Sequence, residues 1–219
     1  MNFSDVVWPE IGQGLIDTLV MSGVSLVFAV LLGLPLGVLL FLSGRRQLLQ
    51  HHGVHAGLSA VVNGLRSVPF IILLIVMIPF TVLLIGTSIG VAGAVPPLVI
   101  SAAPFYARLV ENVLREVDRG LFDACQAMGA TTRQIIFGAL LPESLPGLVA
   151  AATVTGVALV SYSAMAGAIG GGGLGDLAIR YGYQRFQVDV MVITVALMVV
   201  LVQLLQWAGD RLTLHFTRK

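Results

Sequence analysis

Lysine is almost missing from this chain, for Lys219 at the far end is the only one among 219 residues. A phosphate-binding P-loop needs a lysine before Ser or Thr to reach the nucleotide phosphates, so the chain cannot hydrolyse ATP by that route. Cysteine is nearly as scarce. Cys125 stands alone, which excludes any intrachain disulfide. Charge is sparse as well, at 11% of residues with a net +1, and no basic tract interrupts the sequence. Nucleic acid is therefore not an expected partner. A soluble domain of this size would need far more charge to cover its surface. The opening MNFSDVVWPE also lacks the basic n-region of a cleaved signal peptide, so the first apolar helix is expected to stay in the mature protein.

What remains is apolar. Hydrophobic residues make up 57% of the chain, and uncharged runs of about 20 residues recur, the length a ~30 Å hydrocarbon core demands of a helix. Five spans are predicted: Leu15 to Leu42, Ser67 to Gly86, Thr87 to Ala107, Leu145 to Ile169 and Val188 to Trp207. With the N-terminus outside, Arg45, Arg46, Arg66, Arg108, Arg115, Arg119, Arg133, Arg211, Arg218 and Lys219 fall inside the cell. Only Arg180 and Arg185 fall outside, an asymmetry that fixes the orientation with the C-terminus inside. The reading is an all-α polytopic membrane protein in which residues 1–219 form one domain.

The spans are not plain anchors. Pro35, Pro69, Pro79, Pro96, Pro97 and Pro104 each remove a backbone donor that lipid cannot replace, so these helices are expected to pack against protein or line a wet cavity. Simple kinking of packed helices is the plainer account of any one of them. The fourth span is built largely of Ala, Gly, Ser and Thr, which permit either close helix packing or an unfilled pathway. Within it Tyr162, Ser163 and Met165 are the candidates for pathway or gate, with interface packing the competing role.

Three catalytic patterns dissolve in context. Gly86 to Gly90 matches a serine nucleophile elbow but falls at a turn between membrane helices, with His51, His52, His55 and His215 all across the membrane from Ser88. Gly170, Gly172 and Gly175 match a dinucleotide fingerprint but follow a membrane helix, where a flexible external turn is expected. The three close histidines lack a cysteine or carboxylate cluster, so a solvated loop is expected there and no metal site. An intramembrane enzyme would need paired ionisable groups at depth, whereas Asp17, Arg66 and Arg108 lie near span ends.

The most informative stretch is the polar interlude from Asp123 to Pro142. Leu121 to Met128 can form a short helix with Leu121, Phe122, Cys125 and Met128 near one face, Gly129 can allow a turn, and Thr131 or Thr132 can cap the next helix. Pro142 marks the entry to the fourth span. A helix lying across the membrane surface can pass a rigid-body push to the spans at both its ends.

This segment resembles the EAA loop of ABC importer permeases, with Asp123, Ala124, Cys125, Gly129, Leu141 and Pro142 at the motif positions. Asp123 stands where glutamate is usual, Cys125 where alanine is usual, and Ala139 where isoleucine is usual. RSVPFIILLIVMIPFT from Arg66, GTSIG from Gly86, APFYARLVENVLREV from Ala103, LPESLPGLV from Leu141, YSAMAGAIGGGGLG from Tyr162 and AGDRL from Ala208 extend the likeness over most of the chain. Together they are similar to the permease subunits of bacterial D,L-methionine ABC importers. The resemblance implies a non-enzymatic subunit of the bacterial inner membrane that moves methionine inward by alternating access, with residues 121–142 as a cytoplasmic coupling loop. It implies a homodimer in membrane lipid, two ATP-binding subunits that hold the ATP and magnesium, and a substrate-binding lipoprotein outside; this chain binds no cofactor. A permease for another amino acid or small solute would share nearly all of these features.

Overall fold

The computed structural model describes residues 7–45 and 47–217; Arg46, Arg218, Lys219 and the first six residues of the N-terminal stretch lie outside them. Helix α1 (Trp8–Ser43) starts with Pro9 in its first turn, where the missing N–H costs nothing. Its 36 residues reach about 54 Å, well beyond the ~30 Å hydrocarbon core, so the span starts earlier than the predicted Leu15 and projects from the bilayer.

The predicted second span is where the structure differs most. The histidine segment, read as a solvated loop, is helix α2 (His52–Ser67), capped by the His51 ring, which accepts from the Val54 N–H. His55 Nδ1 lies 3.1 Å from the Leu40 carbonyl, tying the helix to the end of α1. Helices α3 (Phe70–Val76) and α4 (Ile78–Ile85) follow, and α2 and α3 meet at a bend of 100°. Proline explains the bend: Pro69 forces Val68 into extended backbone at φ −80°, ψ 125°, ending α2. Pro79 then opens α4, so neither proline interrupts a helix.

Helix α5 (Gly90–Arg115) runs parallel to α1, with Gly33 against Ala103 and Gly37 against Ala107. Two parallel helices joined in sequence require a return crossing between them, and only residues 44–89 can make it. The bent α2 to α4 segment is therefore the fifth crossing beside four helices that are each long and apolar enough to span alone among the described residues. Helix α6 (Arg119–Ala127), helix α7 (Thr132–Ile135) and a π-helical turn (Ile136–Leu140) lead into α8 (Leu141–Gly167), antiparallel to α5. The helical run continues from Thr132 to Gly167, and Pro142 stands in the first turn of α8, at the entry to the fourth span as expected. The π turn ends with Leu141 N–H donating to Ile136 O, so the widened ring falls just ahead of Pro142, which has no N–H to offer.

Helix α9 (Gly173–Leu177), a second π-helical segment (Ala178–Tyr183) and α10 (Val188–Phe216) complete the chain. The glycine-rich turn is not the flexible external loop that was expected. Gly173, Leu174, Gly175 and Leu177 are buried between α1 and α8. A Cβ on Gly175 would collide with the Ala164 backbone and one on Gly167 with Gly175 and Asp176, so small residues here let backbones touch.

The core lies along the α1, α5 and α8 contact, where Met21, Ala29, Leu98, Ala102 and Leu159 pack with Phe70 and Leu74 of α3. Pro96, Pro97 and Pro104 are buried there, as expected, whereas Pro35 sits on the exposed face of α1. Helix α10 packs at the edge, and its exposed Val192, Val195 and Val199 form a lipid-compatible face. Trp207 on α10 and Trp8 on α1 are exposed at opposite ends of the bundle, the place aromatic residues take at the two membrane interfaces.

Candidate functional site: the α6 to α8 turn and the α8 surface

The turn that joins α5 to α8 is built from strong local signals. Asp118 caps α6 by accepting from the Gly120 N–H at 2.7 Å. The helix ends where Gly129 takes φ +76°, with Gly129 N–H donating to Gln126 O and Ala130 N–H to Cys125 O. This pairing is a Schellman ending, which needs a residue tolerant of the left-handed region. No atom lies within 4 Å of a Cβ built on Gly129, so the requirement is conformational and not steric. Two residues later Thr131 starts α7 with a reciprocal capping box: Thr131 N–H donates to Gln134 Oε1 at 2.8 Å, and Gln134 N–H returns to Thr131 Oγ1.

The predicted apolar face of α6 divides in two. Leu121, Phe122 and Cys125 are half-buried against the chain itself, with the Phe122 ring 6.1 Å from that of Phe41 at the end of α1. Asp123, Ala124 and Met128 point away, and Met128 is 78% exposed. Leu141 is half-buried and Pro142 exposed on the following helix. Phe137, 64% exposed in the π turn, joins Met128 as the other large apolar side chain this turn offers outward. Sequence reading did not single it out. Its signal was available in the isolated aromatic residue of the polar interlude.

A second group escaped prediction because α5 runs eight residues past the expected end of its span. Glu111, fully buried, is gripped by the guanidinium groups of Arg108 and Arg115, and Arg108 Nη2 reaches Asn63 Oδ1 of α2 at 2.8 Å. The spacing Arg108, Glu111, Arg115 places all three on one helix face. This carboxylate has charge partners on both sides and joins α5 to α2, so it serves structure and offers no free base.

The three α8 candidates are not brought together. Tyr162 is half-buried and stacked on Phe70, with centroids 4.8 Å apart. Ser163 is buried and donates to Val160 O of its own helix at 2.8 Å, so its hydroxyl is already satisfied. Met165 lies on the surface at 48% exposure. Of the three, only Met165 presents its side chain to whatever adjoins α8.

At the opposite end of the bundle, Tyr181 donates to Glu10 Oε2 at 2.7 Å, and that hydrogen bond, with burial adding to it, raises the Tyr181 hydroxyl above its ordinary pKa. Arg180 and Arg185 flank the Tyr181 ring at 4.8 and 4.6 Å. No group of three or more metal-ligating side chains occurs among the described residues.

Comparison with known proteins agrees with this geometry. The probable D-methionine transport system permease protein MetI of Pasteurella multocida is 46% identical over 213 residues, covering 97% of this chain and 98% of the relative. The methionine import system permease protein MetP of Bacillus subtilis is 49% identical over 175 residues, 80% of this chain and 79% of the relative. A chain of the solved inward-facing MetNI methionine ABC transporter superposes with a TM-score of 0.96 at 49% identity, covering 100% of both chains. The family described as binding-protein-dependent transport system inner membrane component matches residues 33–218. The chain therefore belongs to the family of inner membrane components of binding-protein-dependent transport systems.

Proposed function

We propose that this chain is the membrane-spanning permease subunit of an ATP-driven importer that carries methionine, in both D and L forms, into the bacterial cytoplasm. The observation that carries the reading is the doubly capped helical turn at Arg119 to Ile135, held between α5 and α8 and offering Met128 and Phe137 outward, in a chain without a P-loop lysine. Such a chain needs an external motor and has a rigid surface with which to feel it. The methionine assignment is supported by its similarity to methionine transport permeases.

Two copies enclose the pathway, with Met165 on the wall or gate between them. Two ATP-binding subunits inside supply ATP and magnesium chemistry, and a substrate-binding lipoprotein delivers solute outside. Closure of the ATP-binding subunits moves the two turns, and each turn rotates the helices attached at its ends between inward-open and outward-open arrangements. This chain performs no covalent step. Uptake of labelled L- and D-methionine into cells lacking their own importer, with this chain restored beside its ATPase and lipoprotein, tests the proposal. Restored uptake that excess unlabelled methionine suppresses supports it; no restored methionine uptake, with uptake of another labelled amino acid restored instead, makes the chain a permease for that solute.

A further inference from the structure

We propose that the cavity beneath α2 at the Arg45 end of the bundle binds the phosphate of an anionic phospholipid headgroup. The inference rests on the membrane reading of the chain and is independent of the solute transported. The cavity, about 620 Å³, opens where four helix ends converge: the end of α1, the start of α2, the end of α5 and the start of α6. That volume is within the usual range for a small-molecule site.

Its lining is cationic on one side and apolar on the other. Arg45, Arg115 and Arg119 contribute guanidinium groups, His52 and His55 contribute imidazoles, and no carboxylate lines it. Arg115 is engaged by Glu111, whereas no hydrogen bond or ion pair holds Arg45 or Arg119 among the described residues. The amino end of the 16-residue α2 adds its partial positive charge to the same space. Two unpaired guanidiniums facing one cavity repel each other unless an anion lies between them, and their fork geometry suits phosphate oxygens.

The apolar side decides which phosphate. Phe41, Leu114, Val117 and Phe122 would gain nothing from inorganic phosphate, but they match the glycerol and first methylenes of a lipid. The cavity also lies where the strongly apolar α1 leaves the bilayer, beside exposed Val54 and Val61 of α2. Basic pockets between helices on the cytoplasmic side are the places where anionic headgroups collect. Because Phe122 belongs to both the cavity wall and α6, a bound headgroup would brace the base of the cytoplasmic turn.

The test uses the purified transporter, permease with its ATPase, stripped of lipid and titrated with phosphatidylglycerol or phosphatidylcholine of matched chains, the first adduct being followed by native mass spectrometry. Arg45→Gln with Arg119→Gln should weaken the first phosphatidylglycerol about 25-fold, at about fivefold per arginine. Phosphatidylcholine binding should not change, Lys at both positions should restore most of the affinity, and excess inorganic phosphate should not displace the lipid. Because Arg45 is exposed, Arg45→Gln alone folds and should show the single fivefold step. Equal phosphatidylglycerol affinity in wild type and the double variant would overturn the proposal. Displacement by inorganic phosphate would overturn it in favour of a soluble anion. Loss of the ATPase from the Gln variant with lipid binding intact would overturn it by assigning the cavity to that subunit.

Discussion

Thr18 Oγ1 in α1 accepts a 2.9 Å hydrogen bond from the backbone N–H of Leu174 in α9, 156 residues further on, while donating to Gly14 O of its own helix. One hydroxyl thus ties the buried glycine-rich segment to the first span. Both residues are buried, so replacing the hydroxyl by a methyl of similar shape strands the Leu174 N–H away from water. Thr18→Val is expected to destabilise the folded permease by about 1–3 kcal/mol, the usual cost of an orphaned buried donor. Thr18→Ser keeps the acceptor and should lose less than half as much. Thermal unfolding of the purified complex compares the two; an equal loss in both would mean that methyl packing, not the hydrogen bond, holds the segment.

Glu111 supports a second expectation. Removing the charge from a buried ion pair leaves its partners uncompensated, which costs about 3–5 kcal/mol when both sides are buried. Here the Arg108 and Arg115 side chains retain 19% and 55% exposure, so water recovers part of the loss. Glu111→Gln should cost about 1–2 kcal/mol on that basis. Adding Arg108→Gln should recover some of it, because the stranded cation is removed with its partner. A double-mutant cycle measured by thermal unfolding reads the coupling directly, and strict additivity would show that Arg108 and Glu111 act independently.

What the sequence made legible follows from how local each feature is. The long spans declare themselves because a run of apolar residues needs no partner to be recognised, and the α6 to α7 turn does so because Gly129 and Thr131 act on their own backbones. Helix α2 was hidden by its polar, histidine-bearing start and by Pro69, which reads as the opening of a span when it is the elbow within one. Glu111 was hidden by a span boundary drawn at Ala107, one that hydropathy alone favours. The burial of Gly173 to Leu177 is purely tertiary: glycines that would suit a mobile turn are also what two helix backbones need in order to touch. The direction in which α6 turns its apolar residues depends on Phe41, 81 positions before Phe122, and no local pattern reports that.

Gly129 tests the turn between α6 and α7. Its φ of +76° costs an L-residue about 1–2 kcal/mol, and more for a β-branched side chain, although space is open around it. Gly129→Val should insert and fold yet lose the ATPase on purification, while Gly129→Asn, which tolerates the left-handed region, should keep it. Full uptake and an intact complex in the Val variant would remove the turn from the coupling path.

Orientation is checked by thiol labelling. Phe186, 84% exposed in the turn before α10, is a better reporter than Asp176, which pairs with Arg180. Phe186→Cys should react with a membrane-impermeant reagent in intact spheroplasts. The native Cys125, at the other end of the bundle, should react only once the membrane is opened. The opposite pattern would invert the topology and place the turn at Gly129 outside the cell.

Met165 separates a gate from a packing contact. It is the only long flexible side chain between Ser161 and Gly173, apart from the aromatic Tyr162 and the branched Ile169, and a thioether can fill a narrow gap and leave it without breaking strong hydrogen bonds. At 48% exposure it packs only partly within its own chain, so truncation there opens no enclosed cavity in the isolated permease. Any large stability loss must then come from an interface formed in the assembly. If Met165 gates the pathway, Met165→Ala should leave the melting temperature of the complex nearly unchanged and raise the ATP hydrolysed per methionine transported. If it is packed between subunits, the same change should cost on the order of 2–5 kcal/mol and leave that ratio as it was. Measuring hydrolysis, uptake and thermal stability on one preparation decides between them, because the gate moves the ratio and the packing contact moves the melting temperature.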